Sequence, residues 1–166
     1  RSGRIDWEHW RVFFGDERAV PPDDLKSNFR MASEALLSHV PLAEWGVHRM
    51  RGELPPDRAA ELYESEPGDA PLDLVLLGIG SDGHTASLFP ADSALDESVR
   101  RVVVGVSPVE PKQRITLGFR ALSEAREAAF LVVGRDKSTL VARVLSEIES
   151  GEPTLGGRWT ASGRAA

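Results

Sequence analysis

The stretch LDLVLLGIGSDGHTASLFP, Leu72 to Pro90, decides how this chain is read. An apolar run leads into Gly78-x-Gly80-x-x-Gly83, the spacing of a dinucleotide-binding loop. Such a loop needs its third glycine to open a helix that meets the pyrophosphate, and an acidic residue about 20 positions on for the ribose. Neither condition is met. Pro90 ends the segment too soon for a helix, and near the expected acidic position the chain reads VVVGVS, without a carboxylate. The loop offers Asp82 and His84 instead, flanking Gly83 just past the end of an apolar strand. In open α/β sheets this is where ligands bind. Taken alone, Asp82 could equally cap a turn and His84 be an ordinary polar loop residue.

Working outward, Trp10–Asp16 (WRVFFGD) reads as a buried strand ended by Gly15. Leu25, Phe29, Ala32, Leu36 and Leu37 recur at three-to-four-residue spacing and predict an amphipathic helix stopped by Pro41. A second helix is predicted from PPDRAAELYES. Leu72–Ile79 is too apolar for a strand with a wet face, which predicts a parallel sheet covered on both sides. Arg100–Val106, Gln113–Phe119 and Ala129–Gly134 read as further strands, ALSEAREA as a helical turn, and STLVARVLSEIES as a helix with Leu140, Val144 and Ile148 in register. Strands alternating with helices predict a layered, Rossmann-like α/β fold with a largely parallel sheet flanked by helices. The 166 residues predict one domain. The glycine-rich tail, GEPTLGGRWTASGRAA, is expected to be the least ordered part.

Two more polar clusters follow buried strands. GDER, Gly15 to Arg18, brings two acids and an arginine to one strand end; its plainer reading is a turn with solvated charges. In LVVGRDKS, Asp136 is expected to cap a helix and Lys137 to lie in its first turn. A lysine beside free backbone N–H groups at a positive helix end suits a phosphate, although an exposed lysine is the commoner case.

Composition narrows the function classes. There is no cysteine, so no disulfide framework and no thiolate chemistry. Net charge is −6 without a basic stripe, which argues against nucleic-acid binding and requires a local cationic pocket for any anionic ligand. No apolar run is long enough to span a bilayer, and RSGRIDWEHW lacks the apolar core of a secretory signal, so a cytoplasmic protein without membrane association is expected. His9, His39 and His48 show no metal-ligand spacing with His84, and no metal site is expected.

With these segments in hand, the chain resembles the bacterial 6-phosphogluconolactonases, in the superfamily that also holds glucosamine-6-phosphate deaminase. FFGDERAVPPDDLKSNFRMASEALL, DLVLLGIGSDGHTASLFP, and PKQRITLGFRAL with AFLVVGRDKSTLV match the family's signatures in order, over most of Trp7 to Val144. The resemblance implies hydrolysis of 6-phosphoglucono-δ-lactone to 6-phosphogluconate in the oxidative pentose phosphate pathway, with no cofactor. It implies His84 as the base that activates water, Arg18 and Lys137 as phosphate ligands, and Asp16 and Asp82 as groups orienting the catalytic site. Ser27, Asn28 and Arg114 fall at matched positions and are carried as substrate-binding candidates. It also implies a strand, a Gly/Ser/Thr-rich phosphate loop and a helix upstream of GDER, so that the 166 residues form an N-terminally incomplete domain, acting as a monomer or weak homo-oligomer.

The residue types suit this chemistry. A strained ring ester needs an activated water and a stabilised oxyanion, and an imidazole titrating near neutrality takes the proton without a metal. The deaminase loop continues to Asn-Glu-Pro, where the Glu moves protons; here the chain has Leu88-Phe89-Pro90. The alternatives kept open are the deaminase or isomerase activity, and a non-catalytic relative that binds sugar phosphates.

Overall fold

The computed structural model describes residues 5–68 and 70–150. The expected single strand at Trp10–Asp16 is divided at Gly15. Strand β1 (Val12–Phe13) pairs in parallel with β3 (Val47–His48), whereas β2 (Asp16–Arg18) turns away to pair antiparallel with β6 (Gln113–Leu117). Strand β5 (Val102–Val106) joins the other side of β6, giving a three-stranded antiparallel sheet in the order β2-β6-β5. A third sheet pairs β4 (Leu74–Leu77) in parallel with β7 (Glu127–Phe130).

The sheet therefore departs from the expected one. Both two-stranded pairs are parallel, as a mixed α/β fold has it, but the largest sheet among the described residues is antiparallel. The reason lies in the connection: β5 and β6 are joined by a short loop with no helix in it, and a crossover between parallel strands needs a dozen or more residues. β4 also departs. Val75 and Leu77 are buried, but Leu74 and Leu76 are 47% and 61% exposed, so one face of this apolar strand is uncovered here. β7 begins two residues earlier than expected and stops at Phe130, leaving Leu131 and Val133 exposed beyond it.

Helix α1 (Asn28–Ala35) is shorter than its periodicity suggested, because Ser27 caps it and the preceding residues form turns. The Ser27 hydroxyl accepts from Arg30 N–H at 3.1 Å. Helix α2 (Pro56–Glu64) starts on proline, which is preorganised for the first helical position. It supplies Tyr63, 2% exposed, whose hydroxyl accepts from Phe14 N–H at 2.7 Å and faces the His48 carbonyl at 3.1 Å. One side chain thus joins α2 to the β1–β3 pair. Glu64, one residue on, accepts from Arg101 and Val102 N–H at 2.7 and 2.8 Å and fixes the start of β5. Met50, Leu88, Val102, Ile115 and Leu122 complete the core, each 1% exposed or less, and burying each such side chain stabilises by about 1.5–3 kcal/mol. Helix α3 (Phe119–Glu124) follows β6, and α4 (Ser138–Ser150) follows a short turn at Arg135–Lys137 that includes Asp136. The expectation for the tail falls on residues 151–166, outside the described residues.

Candidate active site

The loop after β4 is built around His84. Its Nδ1 lies 2.5 Å from Asp82 Oδ1, and its backbone N–H donates to the same oxygen at 3.2 Å. A carboxylate only accepts, so Nδ1 carries a proton, and in the neutral imidazole Nε2 then holds the lone pair. Asp82 thereby sets His84 in the tautomer of a base. The Asp82 carboxyl is held below its ordinary value: partial burial works against this, but the hydrogen bonds from the His84 ring and backbone, with the charge of the ring, outweigh it.

The second glycine of the motif has a steric reason. A Cβ on Gly80 would lie 2.2 Å from ring atoms of His84 and 2.9 Å from Asp82 Oδ1, so only glycine lets the imidazole fold back over the loop. Gly80 N–H in turn donates to the His84 carbonyl at 2.8 Å. The third glycine, Gly83, has a φ of +90° and makes the turn. A spacing that suggests a pyrophosphate cradle is thus explained by the Asp82–His84 pair. On its other side the His84 ring meets Phe89, with centroids 4.4 Å apart, and Phe89 is 7% exposed.

His84 opens onto a cleft of about 370 Å³. Gly15 and Asp16 line it from the junction of β1 and β2, residues 76–80 from the end of β4, and Thr85 and Ala86 from the loop itself. Lys137 closes the lining, its Nζ donating to the Ile79 carbonyl at 2.6 Å. In a chain of net charge −6 this puts a cation in the same cleft as the imidazole.

Three of the eight candidate residues, Asp16, His84 and Lys137, line this cleft. Asp82 acts on it through His84. The other four lie behind Asp16. Asn28 Nδ2 donates to Asp16 Oδ1 at 3.0 Å and to the Asp16 carbonyl at 2.9 Å, while Arg18 Nη1 donates to Asn28 Oδ1 and, at 3.0 Å, to the Lys26 carbonyl. Arg114 is directly opposite Arg18 across β2 and β6. It is 5% exposed and donates to the Pro111 carbonyl and to Ser107 Oγ. Burial, then the charge of Arg18, hold its guanidinium below the ordinary value, with Asp16, Glu17 and Glu110 pulling the other way. Ser27 is 1% exposed, and besides capping α1 its hydroxyl donates to Glu17 Oε2 at 3.0 Å, so its geometry is that of a helix cap.

Glu17, Ser87 and Thr116 are the parts that sequence reasoning missed. Glu17 is buried and accepts four hydrogen bonds at the start of α1. Ser87 donates to Asp16 Oδ2 at 2.7 Å, and its N–H donates to Thr116 Oγ1 at 3.1 Å. A hydroxyl in the otherwise apolar ASLF was the available signal for Ser87. Among the described residues, no cluster of three or more His, Asp or Glu side chains has the geometry to hold a metal ion.

The profile of the glucosamine-6-phosphate isomerases/6-phosphogluconolactonase family matches residues 1–156. The chain belongs to this family. Within it, the chain is similar to the 6-phosphogluconolactonase of Mycobacterium tuberculosis, 42% identical over 161 residues, which are 87% of this chain and 64% of the relative. It is 36% identical over 157 residues to that of Treponema pallidum, 90% of this chain and 65% of the relative. The chain thus spans slightly less than two thirds of the length of these relatives. The crystal structure of 6-phosphogluconolactonase from Thermotoga maritima superposes with a TM-score of 0.83 at 32% identity, covering 95% of this chain and 70% of that one. A monomeric glucosamine-6-phosphate deaminase shares the fold at 18% identity, with a TM-score of 0.69 over 89% of this chain and 64% of that one.

Proposed function

We propose that this protein hydrolyses 6-phosphoglucono-δ-lactone to 6-phosphogluconate, the reaction of the oxidative pentose phosphate pathway. The observation that carries the reading is the Asp82–His84 pair in one cleft with Lys137, with Phe89 packed on the imidazole. The names of the similar proteins support the substrate class.

Water attacks the lactone carbonyl carbon while His84 Nε2 takes its proton, giving a tetrahedral oxyanion. Collapse of the oxyanion breaks the bond to the ring oxygen, and His84 returns the proton there, releasing the open-chain acid. Asp82 holds the tautomer and favours the imidazolium as it forms. Lys137 serves the phosphate as a point charge, with Arg18 as a forked donor near the Asp16 end of the cleft. Asn28 holds Arg18 in position, Arg114 lies opposite it across the strands, and Asp16 orients the polar site. No cofactor enters these steps.

The deaminase or isomerase reading needs a carboxylic acid where Phe89 packs on His84, and a phenyl ring carries no proton. A non-catalytic sugar-phosphate binder would not require the base tautomer that Asp82 sets. We further read the two parallel pairs as parts of one Rossmann-like layered sheet in a single phosphosugar domain. That domain is a cytoplasmic monomer or weak homo-oligomer without nucleic-acid or membrane partners. No helix among the described residues is long and apolar enough to cross a membrane.

Acid release from freshly generated lactone, corrected for spontaneous hydrolysis, tests the reading, with ammonia release from glucosamine 6-phosphate measured in parallel. Lactone turnover without ammonia is expected. Ammonia release would establish the deaminase instead, and binding of 6-phosphogluconate without turnover would establish the non-catalytic relative.

A further inference from the structure

We propose that Ser87 is a positioning residue for this hydrolysis, clamping the His84 loop onto the antiparallel sheet through Asp16 and Thr116. The inference rests on the lactonase reading above. Ser87 is 1% exposed and does not line the cleft, so its effect must pass through the backbone of the loop that does.

The loop is held from two sides. On the β4 side, Gly80 N–H donates to the His84 carbonyl at 2.8 Å and Thr85 Oγ1 to the Gly78 carbonyl at 2.9 Å. On the other side, Ser87 Oγ donates to Asp16 Oδ2 on β2 at 2.7 Å, and Ser87 N–H to Thr116 Oγ1 on β6 at 3.1 Å. The Ser87 carbonyl rests on β5 at Gly105, where a Cβ would come within 2.4 Å of that oxygen. All three strands of the sheet therefore touch this one residue. Between the two anchorages lies Ala86, which lines the cleft with a φ of +49°. A non-glycine residue keeps that left-handed conformation only where its surroundings impose it, and Ser87 is the neighbour through which the sheet imposes it.

The same geometry redefines Asp16. Asn28 takes its Oδ1 and Ser87 its Oδ2, so both carboxylate oxygens are already engaged. Through Ser87, Asp16 then acts on the reaction by holding the His84 loop in place. Displacing reacting groups by about 1 Å costs about 100-fold in rate, which sets the scale of the effect.

The test measures lactone hydrolysis by the full-length protein and by Ser87→Ala, Asp16→Asn, the double variant and Gly105→Ala. Each rate is normalised to sites titrated with 6-phosphogluconate, which discounts misfolded protein. Ser87→Ala is expected to lower kcat by about 10- to 100-fold, with KM within about twofold. The double variant should lose no more than the worse single one. Gly105→Ala, which pushes the same carbonyl off the sheet while leaving the Asp16 carboxylate intact, should also lower kcat. An unchanged kcat in Ser87→Ala would overturn the proposal. So would losses that multiply in the double variant, because Asp16 would then act on the substrate itself. Product binding lost together with turnover in both Ser87→Ala and Gly105→Ala would reduce the clamp to a structural role. A wild-type protein without lactonase activity would instead defeat the functional reading, which the same assay shows separately.

Discussion

Glu17 lies between Asp16 and Arg18 in the segment that reads as catalytic, yet its geometry assigns it to stability. It is 2% exposed. Oε1 accepts from Arg18 N–H at 2.8 Å and Asn28 N–H at 2.7 Å; Oε2 accepts from Phe29 N–H at 2.8 Å and the Ser27 hydroxyl at 3.0 Å. The Asn28 and Phe29 N–H groups belong to the first turn of α1, which has no intrahelical acceptors for them. In Glu17→Ala all four donors lose their partner. A buried donor left unsatisfied costs about 1–3 kcal/mol. The four costs are not additive, since a water entering the vacated space recovers part, so about 3–5 kcal/mol is the expected loss. In a domain of this size 1 kcal/mol moves Tm by about 2–4 °C, which places the variant about 6–20 °C below wild type. Thermal unfolding followed by circular dichroism reads this directly. Glu17→Gln, which keeps one acceptor oxygen, should fall between the two and retain turnover well below its transition. A Glu17→Ala protein melting within about 2 °C of wild type would refute the cap, because four buried donors would then have been satisfied without it.

Other outcomes follow from single side chains. Tyr63→Phe leaves the buried Phe14 N–H without its acceptor and should cost about 1–3 kcal/mol, seen as a lower urea midpoint at unchanged slope. Lys137→Ala removes the cation that lines the cleft with His84 and should weaken 6-phosphogluconate by about tenfold or more in calorimetric titration; equal affinity would place the phosphate elsewhere. The folded Asp82 carboxyl is held below its unfolded value, so its stabilising contribution is present above that value and lost as pH falls through the folded one. The Tm gap between wild type and Asp82→Asn should therefore be full above about pH 5 and close as pH falls below the ordinary carboxylate value of about 4, and a gap independent of pH would contradict the pairing. Leu74→Lys with Leu76→Lys, on the uncovered face of β4, should reduce association of the 166-residue chain in sedimentation without lowering its helix content.

The strands and helices were legible wherever one periodicity governed a whole segment. β5, β6 and α4 lie where the apolar pattern puts them, and the Asp82–His84 pair could be found because both partners stand in one short loop. Sheet organisation was not legible in the same way. WRVFFGD is one apolar run, but the break at Gly15 sends its halves to different sheets, and only partners about 35 to 100 positions away decide that. β4 was expected to be covered because its composition is apolar on both faces, while coverage depends on what packs there. At the site, long-range hydrogen bonds were hidden for the same reason. The Ser87–Asp16 contact links residues 71 positions apart, and nothing local marks Thr116 as its second anchor. Glu17 and Ser27 turn polar atoms inward to cap α1, an arrangement that only the folded geometry reveals.

The central claim is that the Asp82–His84 pair supplies the base for lactone hydrolysis, and the most direct measurement compares wild type with His84→Ala on two readouts at once. One is the rate of acid release from 6-phosphogluconolactone above its spontaneous hydrolysis; the other is the affinity for 6-phosphogluconate. The account predicts a kcat lower by about 10²–10⁴ with product affinity largely kept, since a general base acts in the transition state and not on the bound phosphate. A His84→Ala protein turning over near the wild-type rate would contradict it, because another group would then have to activate the water.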